Sequence, residues 1–252
     1  MNIFLLRGLV REKEHWGEFK SIIQNQFPDA NIVTPEIQGV GEFVDITSPD
    51  NFSEMIEFMR SKNLQYFDQD QNNILMAMSL GGMITRQWIE LYPNDFKKII
   101  LVNTSFKGLN PLFHRLKPAG LINFLRIFFS PGTEAREKSI VQMVSNNRAN
   151  HKTIIAQWTD IQKKRPVKRA SFVNQIKAAL TFSPPQTWPK SLPLLILSGK
   201  GDRLCSYKSS EKIHELWGGD IEFHPTAGHD IPIDDSQWLM EKMSKWLVKE
   251  NK

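Results

Sequence analysis

Short β-branched or apolar runs alternate with helical patterns along most of this 252-residue chain, and that alternation restricts the fold more than any other feature. Ile3–Leu6, Asn31–Thr34, Ile74–Met78, Lys98–Val102, Leu194–Leu197 and Ile221–His224 read as strands. Strands that alternate with helical patterns are the signature of a parallel sheet with crossover helices, which is therefore the expected fold class. Helices fit Trp16–Phe27, Phe52–Met59, the stretch from Leu80 to near Pro93, and Ser236–Val248, where Leu239, Met243, Trp246 and Leu247 share one stripe. Asp234 and Asp235 are good caps for the last of these. Between Asn103 and Pro193 the strands stop, and helices broken at Pro111, Pro118, Pro131, Pro166 and Pro184–Pro185 are expected. The expected organisation is a core of residues 1–104 and 191–252 carrying a helical insertion at 105–190.

Chemistry is concentrated where one strand runs directly into a helix, at Ala77-Met78-Ser79-Leu80-Gly81-Gly82. A serine in such a strand-to-helix elbow occupies a strained turn that lifts its hydroxyl off the sheet, and small neighbours are needed because backbones crowd there. The following helix aims its N-terminal N–H groups at the site, favouring a developing oxyanion. Serine needs a base. Of six histidines, His229 in Thr226-Ala227-Gly228-His229-Asp230 stands in a loop between a late strand and the last helix, at the sheet edge where ligands bind. The imidazole in turn needs a carboxylate on its far nitrogen. Asp202, after the strand Leu194–Leu197 and the Ser198-Gly199 turn, is the candidate, with Asp230 as the alternative adjacent to the histidine.

With Ser79, Asp202 and His229 in that order, the chain resembles the α/β-hydrolase superfamily over nearly its whole length, in particular the small bacterial esterases with a helical cap. Ser79-Leu80-Gly81-Gly82, Gly199-Lys200-Gly201-Asp202 and Gly228-His229 carry the resemblance. It implies hydrolysis of an ester or thioester through an acyl-enzyme, with the N–H groups of Leu9 and Leu80 holding the oxyanion. The usual His-Gly before the first of these donors is here Arg7-Gly8, and the following Asp-x-Pro-Gly-x-Gly loop is reduced to Pro35–Gly41. The chain opens at what would be the family's third strand, so about six strands are expected.

Net charge is +5, yet residues 105–190 hold 15 Lys and Arg against 3 Asp and Glu, an excess of +12, with five basic residues in Lys163–Arg169. A solvated surface accounts for such runs in most proteins. The alternative is an anionic partner at the mouth of the site, such as an acyl group on an acidic carrier protein or coenzyme A. Phe124, Leu125, Ile127, Phe128, Phe129 and Trp158 are the expected roof of the site. No metal-ligand spacing, phosphate loop or nucleic-acid motif is found, so no cofactor and no nucleic-acid partner are expected. Cys205 reads as a buried hydrophobe. With one cysteine, no signal-peptide pattern and no long apolar stretch, a cytoplasmic protein that does not span a membrane is expected. The competing class is a non-catalytic scaffold of the same fold that binds a ligand or partner.

Overall fold

Apart from the half-buried Lys98, every position of the central strands is buried, which is why they appear in the sequence as largely apolar runs. A computed structural model describes residues 1–67 and 72–248. Six strands, β1 (Asn2–Leu6), β2 (Asn31–Val33), β3 (Asn73–Met78), β4 (Lys98–Val102), β5 (Leu194–Gly199) and β6 (Asp220–His224), form one sheet in the order β2-β1-β3-β4-β5-β6. All neighbours are parallel, with Leu6 opposite Ala77 and Met78 opposite Val102. The expected number of strands is thereby found.

Alternate residues of each strand feed two cores. Phe4, Leu6, Leu75, Ala77, Ile99, Leu101 and Ile196 pack toward α2 (Phe52–Ser61), α3 (Leu80–Leu91) and α9 (Lys208–Trp217). Ile3, Leu5, Ile74, Met76, Ile100, Leu195 and Leu197 pack toward α1 (Phe19–Gln26) and α11 (Ser236–Val248), which follows the single turn α10 (Ile231–Asp234). Two helix expectations change. The one from Trp16 to Phe27 is divided at Gly17, whose φ of 52° ends a short 3-10 turn at Lys13–Trp16 before α1 begins. Helix α9 escapes the apolar pattern because half of its buried face is made of Ser209 and Ser210 beside Ile213 and Trp217.

Among the described residues, the chain between β4 and β5 is built from α4 (Leu112–Arg115), α5 (Pro118–Phe128), α6 (Thr133–Val144), α7 (His151–Lys164) and α8 (Arg169–Thr181). Helices α5, α6 and α7 pack together around Ile127, Val141, Met143, Val144 and Trp158. Ion pairs tie this basic segment to the rest of the molecule: Arg165 to Glu12, Lys177 to Asp50, and Lys168 to Asp45 at 3.9 Å. Part of the basic run Lys163–Arg169 therefore faces acidic side chains of the same chain, whereas Lys163 and Lys164 are exposed.

Candidate active site

The turn at Ser79 is shaped by what surrounds it. Ser79 has φ 55° and ψ −118°, a left-handed conformation that side chains rarely adopt, and its N–H is held by the carbonyl of Val102 at 2.9 Å. Its neighbours must be small. A Cβ on Gly81 would stand 2.7 Å from the carbonyl oxygens of Leu6 and Arg7, and one on Gly82 would stand 2.6 Å from Thr104 Oγ1. The Thr104 hydroxyl donates to the Ser79 carbonyl at 2.8 Å, bracing the turn from behind. Leu80 is the first residue of α3, so its N–H belongs to the first turn, which has no acceptor within the helix.

The histidine loop arrives from the opposite end of the chain. His229, 5% exposed, donates from Nδ1 to Asp202 Oδ2 at 2.7 Å, which leaves Nε2 as the acceptor nitrogen of the neutral ring. Asp202 is held by the Leu204 and Cys205 N–H groups, both on its Oδ1, at 2.7 and 2.9 Å. Burial pulls the His229 pKa down, but the charge and hydrogen bond of Asp202 outweigh it, and the net shift is upward from the ordinary histidine value. The structure thus brings Asp202, rather than Asp230, to the imidazole. Asp230 instead meets Arg7 in a buried pair, Oδ2 to Nη2 2.5 Å and Oδ1 to Nη1 3.3 Å.

Ser79 and His229 open together, with Gly8 and Leu9, into a cavity of about 250 Å³. Leu9, Val10, Ile140, Met143, Val144, Val167, Phe172 and Leu204 supply most of its apolar lining. Of the expected roof, Phe124, Ile127 and Trp158 line the cavity. Phe129 does not: it is 75% exposed, two positions past Ile127 and so off the helical face that Phe124 and Ile127 share. The side chains of Leu125 and Phe128 lie outside the described residues. Arg11 and Glu137 form a second buried pair in the lining, 2.9 Å apart, with Arg11 lying 4.4 Å over the Trp158 ring.

Several positioning residues escape sequence reasoning. Asn103, itself at φ 46°, donates to the carbonyls of Gly228 and His229 at 3.1 and 2.7 Å and accepts from Ser198 Oγ and the Gly199 N–H. One amide thus joins the ends of β4 and β5 to the histidine loop. Asp234, expected as a helix cap, accepts instead from the Gly228 N–H at 2.6 Å, the Ser145 hydroxyl at 2.5 Å and the N–H groups of Asn146 and Asn147. Only Asp235 caps α11, through the Trp238 N–H at 2.9 Å. Val10 adopts φ 51°, a strained choice for a β-branched residue, while its N–H is held by Gln175 of α8 at 2.9 Å. No local pattern announces these contacts, since each depends on a partner far along the chain. Cys205 is buried and its thiol is pushed up to about 12, chiefly by burial, which makes it inert. Among the described residues no group of three His, Cys, Asp or Glu could hold a metal, and no helix is long and apolar enough to cross a membrane.

Known proteins share this architecture. A bromoperoxidase from Bacillus anthracis superposes with a TM-score of 0.77 at 14% identity, covering 98% of this chain and 92% of its own. Esterase EaEST from Exiguobacterium antarcticum gives 0.75 at 13%, covering 99% and 92%. A thermophilic esterase from Thermogutta terrifontis gives 0.72 at 16%, covering 98% and 89%. At such identities the likeness is one of fold. No curated protein sequence matches. The family described as serine aminopeptidase, S33, matches residues 41–236, a span that takes in the elbow, the Asp202 turn and the histidine loop. The chain belongs to this serine aminopeptidase S33 family of α/β hydrolases.

Proposed function

We propose that the protein is a serine hydrolase of carboxylic esters or thioesters. The observation that carries this reading is the 2.7 Å bond from Asp202 to Nδ1 of His229, whose imidazole lines the same cavity as the strained Ser79. Because Nδ1 keeps its proton for Asp202, Nε2 is free to take the proton of the Ser79 hydroxyl as Oγ attacks the substrate carbonyl. The N–H groups of Leu9 and Leu80 hold the tetrahedral oxyanion. Collapse expels the alcohol or thiol with the proton returned by His229. Water, activated by the same imidazole, then releases the acid from the acyl-enzyme. No cofactor takes part.

Residues 105–190 act in this reading as a helical cap over the core of residues 1–104 and 191–252, and the apolar lining receives the acyl group. The family description raises an amino-terminal peptide as a rival substrate. The cavity argues against it: an ammonium group needs an available carboxylate, and Asp230 is paired with Arg7 and Glu137 with both Arg11 and Arg136. The basic cap suits an acyl group delivered on an acidic carrier or coenzyme A, with Lys163 and Lys164 exposed to meet it. A fluorophosphonate probe tests the chemistry: it is expected to label Ser79 in the native protein and to leave Ser79→Ala unlabelled. Labelling that survives Ser79→Ala, or an unlabelled native protein, overturns the proposal in favour of a non-catalytic scaffold.

A further inference from the structure

The Arg7–Asp230 pair takes no part in the proton path just described, yet it links the end of β1, the end of β3 and the loop that carries His229. Arg7 directly precedes Gly8 and Leu9 of the proposed oxyanion loop. Its guanidinium engages Asp230, the residue after His229, with two prongs of 2.5 and 3.3 Å. The same Nη1 reaches Met78 Sδ, on the residue before Ser79, at 3.5 Å. The far face of the group rests 4.8 Å from the Trp16 ring. Both side chains are 4% exposed, so the planar fork is fixed by its partners and shielded from water. A lysine could balance the charge at this site but could not make the two-pronged contact.

We propose that Arg7 is a positioning residue that, through Asp230, sets the His229 loop against the oxyanion loop and the Ser79 elbow. This inference rests on the Ser79–His229 reading. A second consequence follows from where the charges lie. The imidazole is faced by Asp202 from the β5 loop, by Asp230 from its own loop and by Arg7 from the β1 loop. Arg11, farther along that last loop, is already paired with Glu137. Asp230 favours the imidazolium and Arg7 disfavours it, so the intact pair leaves the base little perturbed by either. Removing one member exposes the other.

The experiment follows fluorophosphonate labelling of Ser79, and turnover of p-nitrophenyl butyrate, against pH. Only the neutral imidazole accepts a proton, so both rates rise through the His229 midpoint. In Asp230→Asn the unpaired arginine is expected to move that midpoint down by about half a pH unit or more, and in Arg7→Met the unpaired carboxylate is expected to move it up by a similar amount. The double variant Arg7→Met/Asp230→Asn returns close to the native midpoint with kcat still lowered about tenfold. Midpoints that stay put, or move the same way in both single variants, overturn the proposal. Should the single variants fail to fold, Arg7→Lys decides: the charge remains and the fork is lost, so kcat falls about tenfold at an unchanged midpoint, whereas native kcat refutes the positioning role. Absence of Ser79 labelling in the native protein marks failure of the underlying serine chemistry instead of failure of the positioning role.

Discussion

Two walls of the cavity are built on different principles. On one side stand Ser79 and His229, with Asp202 behind the imidazole, each carried by a tight turn at the end of a parallel strand or in the loop that follows one, and the imidazole is held by the 2.7 Å hydrogen bond from Nδ1 to the Asp202 carboxylate. On the other, Arg7 with Asp230 and Arg11 with Glu137 place whole ion pairs out of water. The first wall needs small residues and strained backbone. The second needs charge balance, because an unpaired buried ion is far more costly than a missing hydrogen bond. The comparison teaches that the reactive groups and the groups that hold the walls together are separate sets, which substitution can tell apart.

The largest effect is expected on the first wall. Ser79→Ala and His229→Ala should each lower turnover by on the order of 10⁴ while leaving thermal stability nearly intact, with the double variant little worse than either because the groups act as one unit. Asp202→Asn should follow with a smaller loss; a greater loss in Asp230→Asn than in Asp202→Asn would reassign the acid. The second wall should respond in stability. Glu137→Gln leaves Arg11 buried without its partner and is expected to destabilise the fold by about 3 kcal/mol, read as a lower melting temperature. An unchanged melting temperature would mean that the cap, not the pair, holds Arg11 in place. The smallest effect concerns the exposed basic residues. Lys163→Gln/Lys164→Gln should lower kcat/KM for a coenzyme A thioester several-fold at low salt and leave p-nitrophenyl butyrate unaffected. Equal responses from both substrates would return these lysines to the role of a solvated helix face.

The same division decides what could be read from the chain. Strands such as Leu194–Leu197 and Ile74–Met78 are legible because burial on both faces leaves an uninterrupted apolar run, and the elbow is legible because Gly81 and Gly82 have no room for a Cβ. His229 and Asp202 stand at strand-following turns, where position alone narrows the choice. Charged pairs leave no such trace. Arg7 and Asp230 are 223 positions apart, Asn103 reaches His229 across 126, and nothing in the local spacing of either end announces its partner. Asp234 shows the resulting error, since a residue beside the N-terminus of a helix looks like a cap until its distant ligands are known. Helix α9 was hidden for a different reason, because serines can be buried on a helix face without producing an apolar stripe.

Asp234 also bears on how this enzyme can be remodelled. The carbonyl of Val144 accepts the Asp230 N–H at 2.9 Å, and Asp234 gathers the backbone of Asn146 and Asn147 onto the loop that carries His229. A chimera that exchanges the segment between β4 and β5 for that of a relative, in order to graft a different cavity lining, would therefore unseat the His229 loop as well as the segment that covers it. Donor segments need to be spliced in two pieces, on either side of 144–147, so that these four residues stay with the host and keep the His229 loop seated.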